Sequence, residues 1–119
     1  MARTRLFVYG TLKRGGAGAE HLRGAIFECA VATASGYALY DLGDYPALVA
    51  ALDGVVEGEV YLVTLEHLAE LDRYEGYPDL YDRQLVPLAD GSSAEAYVMP
   101  VHAVTGRSQI AGGVWPPRA

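Results

Sequence analysis

The chain has 119 residues, of which 51% are hydrophobic and 20% are charged, and its formal net charge is −6. This length fits one compact domain over residues 1–119, and an apolar content of this order excludes an intrinsically disordered chain. An acidic protein offers no field that attracts phosphate backbones or an anionic membrane surface. We therefore expect neither nucleic acid nor a membrane as a partner.

The single cysteine, Cys29, excludes an internal disulfide framework and a cysteine-rich zinc site. The three histidines show no metal-ligand spacing with one another or with Cys29, so we expect no metal. No apolar run approaches the roughly 20 residues of a membrane-spanning helix, and the N-terminal residues do not form a signal-peptide core. These features predict a soluble, cytoplasmic protein.

The first predicted strand covers residues 6–9, whose consecutive apolar side chains favour a central strand covered on both faces. A glycine-rich loop over 10–18 follows, because glycine allows backbone conformations closed to other residues. Further extended segments are predicted at 26–32, 36–42, 46–52 and 58–63. Asp53-Gly54, between the last two, is a hairpin-type turn signal.

One amphipathic helix is predicted after these strands. Thr64 is its expected N-cap, and the helix should end near Glu75 because Gly76 is typical of the position just past a C-cap. Its predicted apolar face consists of Leu65, Leu68, Ala69 and Leu71.

A second Asp-Gly pair, at 90–91, predicts a hairpin between segments 83–88 and 94–99. Strands outnumber helices and do not alternate with them in a repeating pattern. The sequence therefore predicts an α+β protein built on a mostly antiparallel sheet or small barrel.

The loop after the first strand is a candidate anion site. Glycine at position 10 lets the consecutive backbone N–H groups around Tyr9, Gly10, Thr11 and Leu12 turn toward a carboxylate. In this role Gly10 holds a conformation that a β-branched side chain resists. A glycine that merely ends a strand has the same signature, and the loop lacks the ending of a phosphate-binding P-loop.

Glu75 is the candidate general acid and base. It lies in the last helical turn, at the negative end of the helix dipole, and Asp72 precedes it by three residues, so both features are expected to raise its pKa. Proton transfer near neutral pH needs such a raised pKa. The alternative is a solvated glutamate beside a C-cap, which is the commoner case.

The segment after the helix carries further candidates. Tyr77, Tyr81 and Arg83 give this segment phenol and guanidinium groups, and its tyrosines are candidates for substrate binding. Cys29 is expected to be a buried, inert thiol, and Trp115 is expected to pack rather than to cover a cavity. Packing is also the expected role of Tyr37, Tyr40, Tyr45 and Tyr61.

Two segments resemble a known family. Residues 7–15 (Phe-Val-Tyr-Gly-Thr-Leu-Lys-Arg-Gly) resemble the signature loop of the gamma-glutamylcyclotransferase superfamily, and residues 71–78 (Leu-Asp-Arg-Tyr-Glu-Gly-Tyr-Pro) resemble its catalytic-glutamate segment. Segments in the order expected of the short, gamma-glutamylamine-cyclotransferase-like branch lie at 36–49, 56–61, 81–83 and 94–98. The small residues at 15–19 depart from the family pattern, which often has a polar residue after the loop.

This resemblance implies a mixed, barrel-like β-sheet flanked by one or two helices, a cavity between the loop and the glutamate, and no cofactor. Enzymes of the family cyclise a gamma-glutamyl group: the α-amine of the substrate attacks its own γ-carbonyl, an amine leaves and 5-oxoproline forms. By resemblance, Glu75 is the acid and base, residues 9–12 bind the gamma-glutamyl group and Tyr81 contacts the substrate. We therefore expect a cofactor-independent lyase with a small-molecule gamma-glutamyl substrate.

Two other functions stay open at this stage. The first is a non-catalytic small-molecule binding module that retains the same fold and cavity, since fold does not fix function. The second is a protein-interaction domain whose contact surface includes exposed tyrosines and Trp115. A cavity shared by Glu75 and residues 9–12 supports the enzyme, whereas Glu75 on a convex surface would remove that case. The sequence leaves the substrate and the oligomeric state open.

Overall fold

The computed structural model describes residues 3–116, which form one mixed β-sheet and one α-helix. The strands are β1 (Arg3–Val8), β2 (Ile26–Ala32), β3 (Tyr37–Asp41), β4 (Pro46–Ala50), β5 (Glu57–Thr64), β6 (Asp82–Pro87), β7 (Ser93–Val98) and β8 (Ser108–Gln109). The α-helix, α1, covers Leu65–Glu75. Short 3-10 helices occur at Ala19–Leu22 and Val101–Val104.

The sheet follows the order β2-β5-β1-β7-β4-β3-β8, and β6 pairs with β7. Five of its ladders are antiparallel, and the contacts of β7 with β1 and β4 are parallel. Leu6, Phe7 and Val8 of β1 are all buried, with Phe7 in one hydrophobic cluster and its two neighbours in another. A central strand covered on both faces is therefore confirmed, as is the mixed α+β class.

Strands β1 and β4 both run parallel to β7, and each forms only one residue pair with it. The side chain of Tyr9, which follows β1, bridges β7 and β4. Its hydroxyl donates to the Tyr97 carbonyl at 2.6 Å and accepts from the Leu48 N–H at 3.2 Å. The phenol thus satisfies backbone groups that no continuous ladder reaches.

Helix α1 begins and ends where the sequence predicts. The Thr64 side chain accepts a hydrogen bond from the His67 N–H at 3.1 Å, and Gly76 ends the helix in the left-handed conformation with φ +69°. The predicted apolar face is partly wrong, because Leu65 is 67% exposed and Ala69 is also exposed. The buried stripe consists of Leu68 and Leu71, and it continues along the same face to Glu75.

The two Asp-Gly turns have different outcomes. The turn at 90–91 joins β6 to β7 in six consecutive residue pairs, so that hairpin is confirmed. The turn at Asp53-Gly54 is not a hairpin, because β4 and β5 are not neighbours in the sheet. Instead, the Gly54 carbonyl accepts from the N–H groups of Gly36 and Tyr37 at 2.9 and 3.2 Å. These hydrogen bonds join the bend at residues 53–54 to the start of β3, and the chain then continues into β5.

The C-terminal segment packs onto the sheet through β8 and Trp115. β8 pairs with β3, and Trp115 packs against the hydrophobic cluster that contains Phe7, so packing is its observed role. Residues 117–119 lie outside the described part of the chain. No helix within residues 3–116 has the length and apolar character needed to cross a membrane.

Candidate functional site

A cavity of about 380 Å³ opens beside the end of β1 and the start of β4. Its lining includes all six residues that the sequence proposes for the site: Tyr9, Gly10, Thr11, Leu12, Glu75 and Tyr81. A volume of this order suits a small molecule. The fold therefore brings the loop after β1, the last turn of α1 and the segment before β6 to one concave site.

The loop after β1 leaves backbone donors at the cavity. The Lys13 N–H donates to the Gly10 carbonyl at 3.1 Å, and the Gly18 N–H donates to the Thr11 carbonyl at 2.9 Å, so the loop is closed on itself. In contrast, the N–H groups of Gly10, Thr11 and Leu12 donate to no acceptor within residues 3–116. Three consecutive donors of this kind can bind a carboxylate.

Gly10 is required for a different reason from the expected one. Its φ is not positive, so the expectation of a special backbone conformation is wrong. A Cβ at this position would lie 2.7 Å from Cγ and 2.8 Å from Cδ of Pro46, which is closer than side chains pack. The strained glycine of the loop is Gly15, with φ +79°, and a Cβ at Gly16 would overlap the Thr11 carbonyl. Glycine at positions 15 and 16 is therefore required by the backbone path of the loop itself.

Glu75 is half-buried in the cavity, and burial raises its pKa to about 7. The direction agrees with the sequence-based expectation, but the cause is removal of the carboxylate from water. Its place on the helix explains that burial, because Glu75 continues the stripe of Leu68 and Leu71 that faces the sheet. A carboxyl with a pKa near neutrality can both accept and donate a proton at physiological pH.

Asp72 does not provide the expected repulsion, because its charge is compensated. Arg83 binds both of its carboxylate oxygens, with Nε–Oδ1 at 2.9 Å and Nη2–Oδ2 at 3.1 Å, and the Tyr97 hydroxyl donates to Oδ1 at 2.7 Å. Arg83 also binds the Glu95 carboxylate, with Nη1–Oε1 at 2.9 Å. These charge-assisted bonds hold the end of α1, and with it Glu75, against β6 and β7.

Three buried tyrosines surround Glu75, and each donates its hydroxyl proton elsewhere. Tyr9 donates to the Tyr97 carbonyl, Tyr97 to Asp72, and Tyr81 to the Pro46 carbonyl at 2.7 Å. Burial raises the pKa of all three far above the usual value for a phenol, with a smaller contribution from the Glu75 charge. They are therefore neutral at any physiological pH.

Several cavity residues were not predicted from the sequence. Tyr45 was expected to pack, but it lines the cavity and is 39% exposed. Tyr97 and Asp44 also line it, and their neighbouring residues carry no motif that marks them. Their positions within the family resemblance are the indirect signal for them: Asp44 lies in segment 36–49 and Tyr97 lies in segment 94–98.

Other candidate groups lie away from the cavity. Cys29 lies on the edge strand β2 and is only half-buried, so the expectation of a buried thiol is wrong. The Tyr77 ring lies 5.2 Å from the guanidinium of Arg83 and does not line the cavity. Within the described residues, no group of three or more histidine, cysteine or acidic side chains is placed to hold a metal ion.

Comparison with known proteins identifies the family. The family model described as gamma-glutamyl cyclotransferase, AIG2-like, matches residues 6–117. The gamma-glutamylcyclotransferase family protein YtfP of Escherichia coli K12 is 36% identical over 112 residues, which cover 93% of this chain and 95% of that protein.

Two solved structures share the fold. A uropathogenic E. coli-specific protein matches with a TM-score of 0.84 and 26% identity, over 97% of this chain and 94% of that one. An AIG2-like protein from Mus musculus matches with a TM-score of 0.71 and 28% identity, over 83% and 78%. Since the family model spans nearly the whole chain and YtfP matches along nearly its full length, the chain belongs to the gamma-glutamyl cyclotransferase, AIG2-like family.

Proposed function

We propose that the protein is a cyclotransferase of the lyase class, which releases 5-oxoproline and a free amine from a gamma-glutamyl-amine or gamma-glutamyl-peptide. One observation carries the proposal: Glu75, with a pKa raised to about 7, shares a cavity with the unpartnered N–H groups of residues 10–12. The single cysteine favours action in the cytoplasm.

The loop binds the α-carboxylate of the gamma-glutamyl group. Its three N–H groups, which have no acceptor within residues 3–116, are donors, while the hydroxyls of Tyr9, Tyr81 and Tyr97 already donate elsewhere. A zwitterionic head therefore fits with its carboxylate toward the loop and its amine toward Glu75. Tyr81, held in place by its bond to the Pro46 carbonyl, forms a wall against the glutamyl chain.

The reaction then needs one proton acceptor and donor. The α-ammonium of the bound head first loses a proton to solvent. The neutral α-amine then attacks the γ-carbonyl, and the new C–N bond closes a five-membered ring as a tetrahedral intermediate. Glu75 as carboxylate takes the proton that the attacking nitrogen loses, and then delivers it to the leaving nitrogen as the original amide C–N bond breaks. Both reacting groups belong to one molecule, so the cavity contributes mainly by holding the chain in attack geometry.

The test is release of 5-oxoproline from a panel of gamma-glutamyl amides and dipeptides. The wild-type protein is expected to form 5-oxoproline and the free amine in equal amounts from at least one compound. Binding of gamma-glutamyl compounds with no product from any member of the panel would favour the alternative, a non-catalytic binding module. A preparation of Glu75→Gln, made in the same way, controls for contaminating activity.

A further inference from the structure

We infer that Asp44 selects gamma-glutamyl amides whose leaving amine carries a second positive charge. The inference rests on the function proposed above, and it concerns the part of the substrate that is released. Asp44 is exposed and also lines the cavity, so its carboxylate lies at the mouth rather than at the base.

The first argument is the charge of the lining. Among the described residues that line the cavity, Asp44 and Glu75 are acidic and none is lysine, arginine or histidine. The nearby Arg14 points elsewhere: its Nε lies 3.5 Å from the Glu59 carboxylate, and its guanidinium lies 4.0 Å from the centre of the Phe27 ring. An anionic leaving group would therefore meet no compensating cation in the cavity.

The second argument is the distribution of donors and acceptors. The backbone N–H groups of residues 10–12 and the Thr11 hydroxyl lie at the loop side of the cavity, and the hydroxyls of Tyr45 and Tyr74 also line it. If the loop binds the α-carboxylate of the head, the donors that remain are hydroxyls, and a second carboxylate would meet no lysine, arginine or histidine in the lining. A terminal ammonium group, in contrast, is a donor only and suits the acceptors that remain.

The third argument is the rim around Asp44. Tyr45 and Tyr74 line the cavity and are 39% and 48% exposed, and exposed aromatic faces attract a cation. Tyr74 is supported by the His21 ring, with 3.9 Å between ring centres. The turn that carries Asp44 is fixed by a hydrogen bond of 3.0 Å from the Leu42 N–H to the Tyr45 carbonyl. The Asp44 carboxylate itself forms no ion pair within residues 3–116.

The test uses three gamma-glutamyl amides with tails of equal length, made from a linear diamine, an n-alkylamine and an ω-amino acid. They end in ammonium, methyl and carboxylate. For an exposed charge pair we expect kcat/KM to differ about threefold at each step, so that ammonium exceeds carboxylate by about tenfold at low salt. The ratio should shrink as added salt shortens the screening length.

Substitutions then assign the preference to Asp44. Asp44→Asn is expected to reduce the ammonium-to-carboxylate ratio to about twofold, and Asp44→Lys to reverse the preference. Asp53→Asn removes an exposed aspartate that does not line the cavity, and it should keep the wild-type ratio. Equal kcat/KM for the three tails, or an unchanged ratio in Asp44→Asn, would overturn the inference and leave the cyclotransferase intact.

Binding measurements separate failure of this inference from failure of the proposed function. If none of the three compounds yields 5-oxoproline, their dissociation constants for the wild-type protein and for Asp44→Asn still decide the inference. Affinity in the order ammonium, methyl, carboxylate that disappears in Asp44→Asn would support charge selection in a binding protein. Equal affinities, or an order that Asp44→Asn leaves unchanged, would refute it.

Discussion

Replacing Glu75 with glutamine should make the protein more stable at alkaline pH. The carboxyl has a pKa of about 7 in the folded chain against an ordinary value of 4.5, because burial disfavours the carboxylate. Folding therefore opposes ionisation of this group. Glutamine has nearly the same shape and never ionises, so the substitution removes that opposition.

The sign and the pH window follow from this shift. Below pH 4.5 the carboxyl is neutral in the folded and unfolded states, and its ionisation does not affect the free energy of unfolding. Between pH 4.5 and 7 the unfolded chain loses this proton first, so the folded state becomes progressively less favourable; above 7 the effect is constant. The full shift corresponds to about 2–3 kcal/mol, allowing for the partial exposure of the side chain.

Chemical denaturation at pH 5 and pH 8 measures the effect. Glu75→Gln should exceed the wild type by about 2–3 kcal/mol at pH 8, with a melting temperature roughly 8–12 °C higher, and by much less at pH 5. Glu70→Gln removes an exposed carboxylate from the same helix and should show no such gain. No stabilisation at pH 8, or an equal gain at both values, would refute burial of Glu75 as the source of its raised pKa.

Three further predictions concern the residues around Glu75. Gly10→Ala should lower the free energy of unfolding by about 1–3 kcal/mol, because the added methyl group meets the Pro46 ring. It should also weaken binding of a gamma-glutamyl compound by tenfold or more. An unchanged dissociation constant would contradict a role for this loop in binding. Arg83→Met should lower the free energy of unfolding by about 2–3 kcal/mol, because it leaves the Asp72 carboxylate uncompensated. Adding Asp72→Asn to that variant should restore part of the lost stability. A loss within about 0.5 kcal/mol in Arg83→Met would show that the ion pair is dispensable. Adding a gamma-glutamyl compound should shift the amide resonances of residues 10–12, and unmoved signals would reject the carboxylate site.

Features with a local cause could be predicted from the sequence. The N-cap at Thr64, the C-cap at Gly76, the limits of β2 and the hairpin at 90–91 all depend on residues within a few positions of each other. The loop after β1 and Glu75 were recognised for the same reason, since each belongs to a short, contiguous motif.

Features that depend on distant contacts could not be predicted. The Asp53-Gly54 turn has hairpin chemistry, but which strands become neighbours is decided by the whole sheet. The reason for glycine at position 10 is the approach of Pro46, which belongs to another strand. Tyr97 lines the cavity beside Tyr9, whose hydroxyl donates to its carbonyl although the two residues lie 88 positions apart in the chain. In each case the deciding residue is far away in the chain.

The most direct test of the central claim is the rate of 5-oxoproline formation by Glu75→Gln on a substrate confirmed for the wild-type protein. The variant should stay folded and bind the gamma-glutamyl compound, yet lose on the order of 10²–10⁴-fold in cyclisation rate, because glutamine can neither accept nor deliver the proton. The wild-type kcat/KM should also rise with pH through a pKa of about 7, as Glu75 becomes a carboxylate. An unchanged rate in folded Glu75→Gln would contradict the proposed mechanism.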